Sequence, residues 1–510
     1  MKLEYRFSQV TTLSRHPMQP KRKMAFRLSK TSYLKYLKCP PEYWLEVHQP
    51  LLCVEETKSP LEIEHLRQQG YAVEAIVKEL PRFYSNEEQL VEFQRSFFTQ
   101  EYEARSDIVV TDRKTGTIKV YEVKAAASVK KEHLDDVAFQ VHVAELTGAR
   151  VTRAYVITMN GEYVRHGEID KEQLFAITDV TEEIELRRTF TAEKAAEAIR
   201  YLDTTPVASL LDYCKENKLH CRFIQSAFPG LPDYTIFDIS YLKDDKRIAL
   251  LEQGVVDIKD VPDDFPLSDK QRKQVAAAKS GDVVIDRPAI RKRMDEWEYP
   301  LHFLDYETFQ YAIPQFDGIR PFQQMVFQYS LHTIRRPGAE PEHYECLVQE
   351  DHPNPPLAIA NHMRDAFGDE IGTVFVWYEA FEKTRNSEMA EMLSEHREFF
   401  EEINLKTRDL MKIFADRLYI HPEFKGRSSI KKVLPVICPD LSYSSLGIGE
   451  GLTATIKWFR AVKWTSLSDA ERLTIFQDLL EYCKLDTWAM VRIYEELCKL
   501  WECSDAEARA

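Results

Sequence analysis

The chain has 510 residues, 44% hydrophobic and 30% charged, an ordinary mix for a protein with sizeable cores and roughly two to four domains. Its net charge of −15 excludes general electrostatic attraction to nucleic acid, so any such contact must come from local basic patches. No apolar run is long enough to span a bilayer, which excludes an integral helical membrane protein.

The opening segment MKLEYRFSQVTTLSRHPMQPKRKM lacks the apolar core of a signal peptide, so a cytoplasmic location without membrane contact is expected. Nine scattered cysteines fit reduced thiols better than a disulfide framework. Basic clusters stand at 21–23, 130–131, 291–293 and from Lys425 to Lys432; such clusters are ordinarily solvated faces.

Residues 1–27 read as a polar tail, within which Met24 is a candidate natural start. Ser29 is placed to cap a helix carrying Tyr33, Leu34 and Leu37, which Cys39-Pro40-Pro41 ends. A second helix carries Tyr43, Trp44 and Leu45, and a third is expected over 59–80. Residues 86–98 read as a helix or a mixed segment. The stretch EARSDIVVTDRKTGTIKVYEVKAA predicts a hairpin with Asp107 on its first strand. Glu122 and Lys124 alternate onto one face of the second strand. Two carboxylates and an ammonium so placed suit a divalent metal that polarises a phosphate and a water, with the lysine answering developing charge. The bland alternative is an amphipathic surface hairpin. A helix over 131–148 follows, with Gln140 inside it, and then two strands joined at Asn160-Gly161.

Asp107, Glu122-Val123-Lys124 and the helix with Gln140 resemble the RecB-like branch of the PD-(D/E)XK nucleases. CPPEYW at 39–44 is similar to a segment near the start of that branch. The resemblance implies a restriction-endonuclease-like domain over 28–211 that cuts DNA, with Asp107 and Glu122 on metal and Lys124 and Gln140 beside them. Where relatives carry a metal-site histidine, Glu74 stands here, with His65 as the alternative. The tyrosine usual four residues after the glutamine is Ala144. Relatives often hold an iron–sulfur cluster with four cysteines. Cys39, Cys214 and Cys221 match three, but Ala227 and Phe228 stand where the fourth would fall, so no cluster is expected.

Residues 212–296 read as a helical connector. From 301 the pattern becomes three strands, then alternating helix and strand, the order of an α/β fold. In LHFLDYETF an apolar run delivers Asp305 and Glu307 onto one strand face. Two acids there repel and lose solvation unless a cation sits between them; the bland alternative is an exposed acidic edge. In EYCKLDTWAM, Tyr482 and Asp486 share a helix face at i and i+4.

With VWYEAFEKTRN between them, these motifs resemble the DnaQ-like, or DEDD, exonucleases. The resemblance implies an RNase H-like domain over 297–503 with Asp305, Glu307, Glu382 and Asp486 on metal and Tyr482 positioning or activating the attacking water. Glu379 is the alternative to Glu382. Asp409 and the block SSIKKVLP match family segments and read as supporting structure, Asp409 as an acid that holds a metal ligand in place or sits at a helix end. The run from 28 to 500 is similar to a bacterial family whose C-terminal half is a domain of unknown function. A Mg²⁺- or Mn²⁺-dependent nuclease with two sites is therefore expected, with paired metals about 4 Å apart at the C-terminal one. Single-stranded DNA is the expected substrate and RNA is open, in repair or in defence against foreign DNA. The rival readings are one live site with the other as a binding platform, and a non-catalytic partner of nucleic acid or protein.

Overall fold

The computed structural model describes residues 27–50, 59–204, 211, 214, 215, 228, 230–443, 448, 451–463 and 467–507, the last seven by backbone alone. The chain is a mixed α/β protein. Cys221, Ala227 and the tail through residue 26 lie outside the described residues.

β1 (Leu28–Ser29) leads into α1 (Lys30–Lys38), whose cap is Ser29 accepting from the Ser32 amide. α2 (Pro40–His48) follows at once, with both prolines in its first turn, where no amide partner is needed. α3 (Pro60–Lys78) opens on a reciprocal capping box between Ser59 and Glu62. Then the structure departs from expectation. Residues 89–98 form β2 (Gln89–Phe98), an antiparallel partner of β3 (Tyr102–Asp112). Pairing with the buried β3 outweighs the weak helical pattern. Gln94 takes a left-handed backbone at φ 55°, opposite Asp107, and there the ladder is interrupted.

β4 (Thr117–Val123) closes the hairpin expected at TDRKTG, with Asp112 Oδ1 accepting from the amides of Lys114 and Thr115. α4 (Lys131–Leu146) then crosses to β5 (Arg150–Met159), parallel to β4. No second strand follows Asn160-Gly161 directly; the next is β6 (Phe175–Asp179), antiparallel to β5, and then α5 (Thr181–Tyr201). The intervening segment is engaged elsewhere. Arg165 donates to the Pro314 carbonyl at 3.1 Å, and the Gly167 amide donates to Asp317 at 3.0 Å. The Arg165 amide also donates to the Ile319 carbonyl at 3.2 Å and its carbonyl accepts from the Gly318 amide at 2.9 Å, so tertiary docking took the backbone that a hairpin would have used.

The connector supplies α6 (Asp244–Glu252), α7 (Asp269–Ser280), β7 (Val284–Ile285) and α8 (Arg287–Met294). Its core surrounds Trp44 and Leu45 of α2 on one side. On the other, Ser240 donates to the Gly426 carbonyl at 2.6 Å. Its described elements are mostly short helices.

The second large sheet has the order β10-β9-β8-β11-β12. Its strands are β8 (Leu301–Phe309), β9 (Met325–Ile334), β10 (Glu342–Leu347), β11 (Thr373–Val376) and β12 (Thr407–Asp409). β8 is antiparallel to β9 and parallel to β11. α9 (Pro355–Phe367), α10 (Glu379–Met392) and α11 (Arg397–Lys406) link the strands. After α12 (Lys412–Ala415), β13 (Tyr419–Ile420) pairs with β7 of the connector. α13 (Ile430–Ile437), α14 (Gly451–Lys463) and α15 (Asp469–Glu507) complete the chain.

Alternation along β8 sorts its residues between two cores. Leu301 and Phe303 pack with Ala489, Met490 and Ile493 of α15. Leu304 and Tyr306 face the other core with Val374 and Val376. α15 is held over the sheet by polar contacts: Gln328 donates to the Leu479 carbonyl at 2.8 Å, and the Thr487 hydroxyl meets Ser330 at 2.8 Å.

Candidate metal centre

Asp305 and Glu307 continue the strand face that begins with Leu301 and Phe303. That face therefore runs from core to carboxylate along one side of β8. α15 crosses above it and supplies Asp486. Asp305, Glu307 and Asp486 each place one carboxylate oxygen within 4.8 Å of the others, a convergence unmatched among the described residues. The ladder shifts register just past Glu307, and Phe309 consequently falls into the opposite core. The acids open into a cleft of about 380 Å³ lined also by Tyr482, Lys431 and Gly451.

Burial raises all three acids. The Asp305 carboxyl is pushed well up by burial, then by the charges of Asp486, Glu307 and Glu382. Glu307 rises through burial and Asp486, against the opposing pull of Lys431. Asp486 is raised to about 6 by burial, tempered by hydrogen bonds from Tyr443 and Tyr482 and by Lys431. Glu382, in the first turn of α10, is 2% exposed and is raised to about 8 by burial and then by Asp409. Its Oε2 has no hydrogen-bond partner among the described residues. Glu379, the other candidate, instead pairs with Lys412 and with Lys383 and is held below the usual carboxylate range by those lysines despite its burial.

Asp409 proves to be a helix-end acid. It accepts from the Tyr378 amide at 3.1 Å, the Glu379 amide at 3.3 Å and the Met411 amide at 3.0 Å. It thereby anchors the start of α10, and Tyr378 is left with a left-handed backbone at φ 90°.

Three neighbours were not singled out from sequence. Tyr443 donates to Asp486 Oδ1 at 2.6 Å. The Lys431 ammonium, inside the block read as support, lies 5.7 Å from the Tyr443 ring and 5.6 Å from the Tyr482 ring. The Cys483 thiol lies 3.6 Å from Asp305 Oδ2. Tyr443 comes from a segment with no local motif, whereas the block SSIKKVLP around Lys431 and the i+1 position of Cys483 beside Tyr482 were the available signals.

The N-terminal residues gather into a different arrangement. Lys124 reaches Glu122 at 2.7 Å and Asp136 at 2.6 Å, and Lys30 reaches Glu122 at 2.8 Å. Gln140 donates to Glu122 at 2.7 Å and to Asp136 at 2.8 Å. Glu122 and Asp136 are almost wholly buried, and their charges raise Lys124 despite its own burial. Asp107 stands apart: it accepts from the Val123 amide at 2.8 Å, and Gln94 bridges it to Glu74, donating to each at 3.1 Å. Glu74, Asp107 and Glu122 thus fall in two adjoining groups rather than one tight set. Lys30, Asp136 and Gln94 went unnoticed in the sequence; Asp136 at i−4 from Gln140 was the available signal. His65 turns instead to Tyr311, ring to ring at 5.6 Å. Ala144 is buried in the core. Cys39 caps α2, accepting from the Glu42 amide, and Cys214 is buried in the connector core.

The raised acids of the C-terminal cleft give a pH prediction. Their folded-state values lie above the unfolded ones of about 4, so the proton-bound folded form is favoured. That stabilisation is full below pH 4 and is lost as pH climbs through about 6 and about 8, the values of Asp486 and Glu382. In EDTA the thermal midpoint contributed by this site should fall between pH 5 and 8. Manganese should raise it by several degrees at pH 8 and much less at pH 5, read by differential scanning fluorimetry. Equal shifts at both pH values would contradict the assignment.

Residues 302–429 match the family described as Domain of unknown function (DUF2779). That segment contains Asp305, Glu307, Glu382 and Asp409 and stops short of Tyr482 and Asp486. The chain is also 29% identical, over 224 residues, to Uncharacterized protein UU173 of Ureaplasma parvum serovar 3. The match covers 39% of this chain and 31% of that protein, so the chain spans about a third of the relative's length. Among solved structures, the crystal structure of SSO0001 is similar over 39% of this chain and 83% of that one, at 14% identity and a TM-score of 0.24. Among the described residues, no helix is long and apolar enough to cross a membrane.

Proposed function

We propose that this chain is a metal-dependent nuclease whose main cutting site is the C-terminal cleft, acting on the 3′ end of a DNA strand. The observation that carries the reading is the convergence of Asp305, Glu307 and Asp486 from a central strand and a distant helix. The sheet order, with β8 central, the antiparallel meander of β9 and β10 on one side and the parallel strands β11 and β12 on the other, fits an RNase H-like exonuclease domain. The hairpin, crossover helix and parallel β5 of the first sheet fit a PD-(D/E)XK domain.

The residues suit a hard divalent cation. The donors are all carboxylate oxygens, the set that Mg²⁺ and Mn²⁺ take, and the buried Glu382 Oε2 lacks a hydrogen-bond partner among the described residues. Asp305, Glu307 and Asp486 would hold the metal, with Glu382 beside them. When bound, it polarises the phosphodiester and lowers the pKa of the attacking water. Burial and the neighbouring acids hold the Tyr482 phenol above its ordinary range, so it stays protonated and positions the water as a donor rather than removing a proton. Tyr443 fixes the Asp486 carboxylate. Lys431 brings positive charge to the same cleft, where a phosphate would gain negative charge in the transition state.

The Glu122–Lys124 cluster is the second cutting site of this proposal. One observation favours its being a binding platform instead: Glu122 is already engaged by Lys30, Lys124 and Gln140. Incubation of end-labelled single- and double-stranded DNA and RNA with manganese or magnesium tests the whole reading. Mononucleotide release is the expected product; intact substrate under every condition would overturn it.

A further inference from the structure

A groove of about 1020 Å³ opens beside the Glu122 cluster, between α1, the start of α4 and Phe190 of α5. Lysines 38, 130 and 131 line it and are exposed. No carboxylate of the described residues is paired with any of the three. The acids of the groove are answered or solvated: Asp135 meets Arg187 at 3.4 Å, Asp136 meets Lys124 at 2.6 Å, and Glu132 is 68% exposed. Farther in, the groove reaches Lys30 and Lys124 themselves. In a chain of net charge −15, a recess that gathers unpaired ammonium groups concentrates like charge, and a polyanion relieves that repulsion. Phe190 stands on the same wall, 43% exposed, where a flat apolar ring has no packing partner to cover it fully.

We propose that this groove binds single-stranded nucleic acid. Successive phosphates lie on Lys38, Lys130 and Lys131, and an unpaired base stacks on Phe190, so that the strand is led to the Glu122–Lys124 cluster. The ring decides for a single strand, since the faces of bases in a duplex are covered by stacking on the neighbouring base pairs. The inference deepens the nuclease reading and rests on it for its purpose, while binding itself requires no cleavage.

The test is fluorescence anisotropy of labelled DNA and RNA 20-mers and the matching duplex, with the full chain in EDTA. Lys38→Ala/Lys130→Ala/Lys131→Ala should bind single strands at least about 10-fold more weakly, and its log–log salt slope should be shallower by about 2. The triple Lys→Arg variant should bind like wild type, which separates lost charge from lost fold. Phe190→Ala should weaken binding about 10-fold with the slope unchanged. The DNA and RNA arms identify which strand is preferred. Unchanged affinity and slope in the triple alanine variant, or no binding by wild type, would overturn the groove. Duplex bound as tightly as single strand, with Phe190→Ala silent, would overturn the single-strand assignment. Because no metal is present, an absence of cleavage leaves this result readable and bears only on the nuclease reading.

Discussion

Asp305→Asn is expected to end mononucleotide release from labelled DNA, lowering the rate about a thousandfold or more while leaving the protein folded. The substitution is nearly isosteric, and it removes a charge that stands within 4.8 Å of two other carboxylates. A second outcome distinguishes a metal centre from a structural acid pair. Relief of repulsion should make the metal-free protein more stable, by on the order of 1–2 kcal/mol at pH 8, above the value of about 6 at which Asp486 ionises. The manganese-induced thermal shift should vanish with it. A variant that loses stability and keeps the metal shift would show that Asp305 is a packing residue and would remove the foundation of the proposed site. Denaturant melts with and without manganese, beside the cleavage assay, read both effects.

Lys124→Ala should have the other large effect, at the Glu122 cluster. Its ammonium is the shared partner of Glu122 and Asp136, whose side chains are 1% and 3% exposed. Removing one partner from a buried ionic group leaves charge uncompensated, at a cost of about 3 kcal/mol. Lys30 softens the loss, since it still reaches Glu122. Internal cuts in a long substrate should disappear, whereas mononucleotide release at the C-terminal cleft should persist. If internal cutting survives in a folded Lys124→Ala protein, the cluster is assigned to binding and not to chemistry. Lys124→Arg, which keeps the charge, is the control for folding.

The elements were legible wherever a local rule was strong. The Ser59–Glu62 box, the TDRKTG turn and the alternation of LHFLDYETF each specify backbone geometry within a few residues. The segment at 86–98 misled because its polar and apolar residues fit no single period. Its strand character comes from β3, which offers a buried partner along nearly its whole length. Asn160-Gly161 misled for a related reason: the turn is present, but Arg165 and Gly167 find partners at Pro314 and Asp317, in the segment after β8.

By itself the sequence determined which acids could share a face. Period two along Leu301–Phe309 aligns Asp305 with Glu307, and period 3.6 aligns Tyr482 with Asp486. It also presented Glu122 and Lys124 as neighbours on one strand. Only the tertiary structure decided what those faces meet. It set α15 across β8 so that Asp486 closes the acid group, turned Glu382 inward while Glu379 paired with lysines, and brought in Tyr443 and, from the first turn of α13, Lys431. It also grouped Asp107 and Glu74 through Gln94, and Glu122 separately with Lys30, Lys124 and Asp136. Local periodicity fixes only the direction in which a side chain leaves its own strand or helix. The identity of its partner depends on how two such surfaces pack, and that is set by the cores around Phe303, Tyr306 and Phe139 rather than by any residue near the acids in sequence.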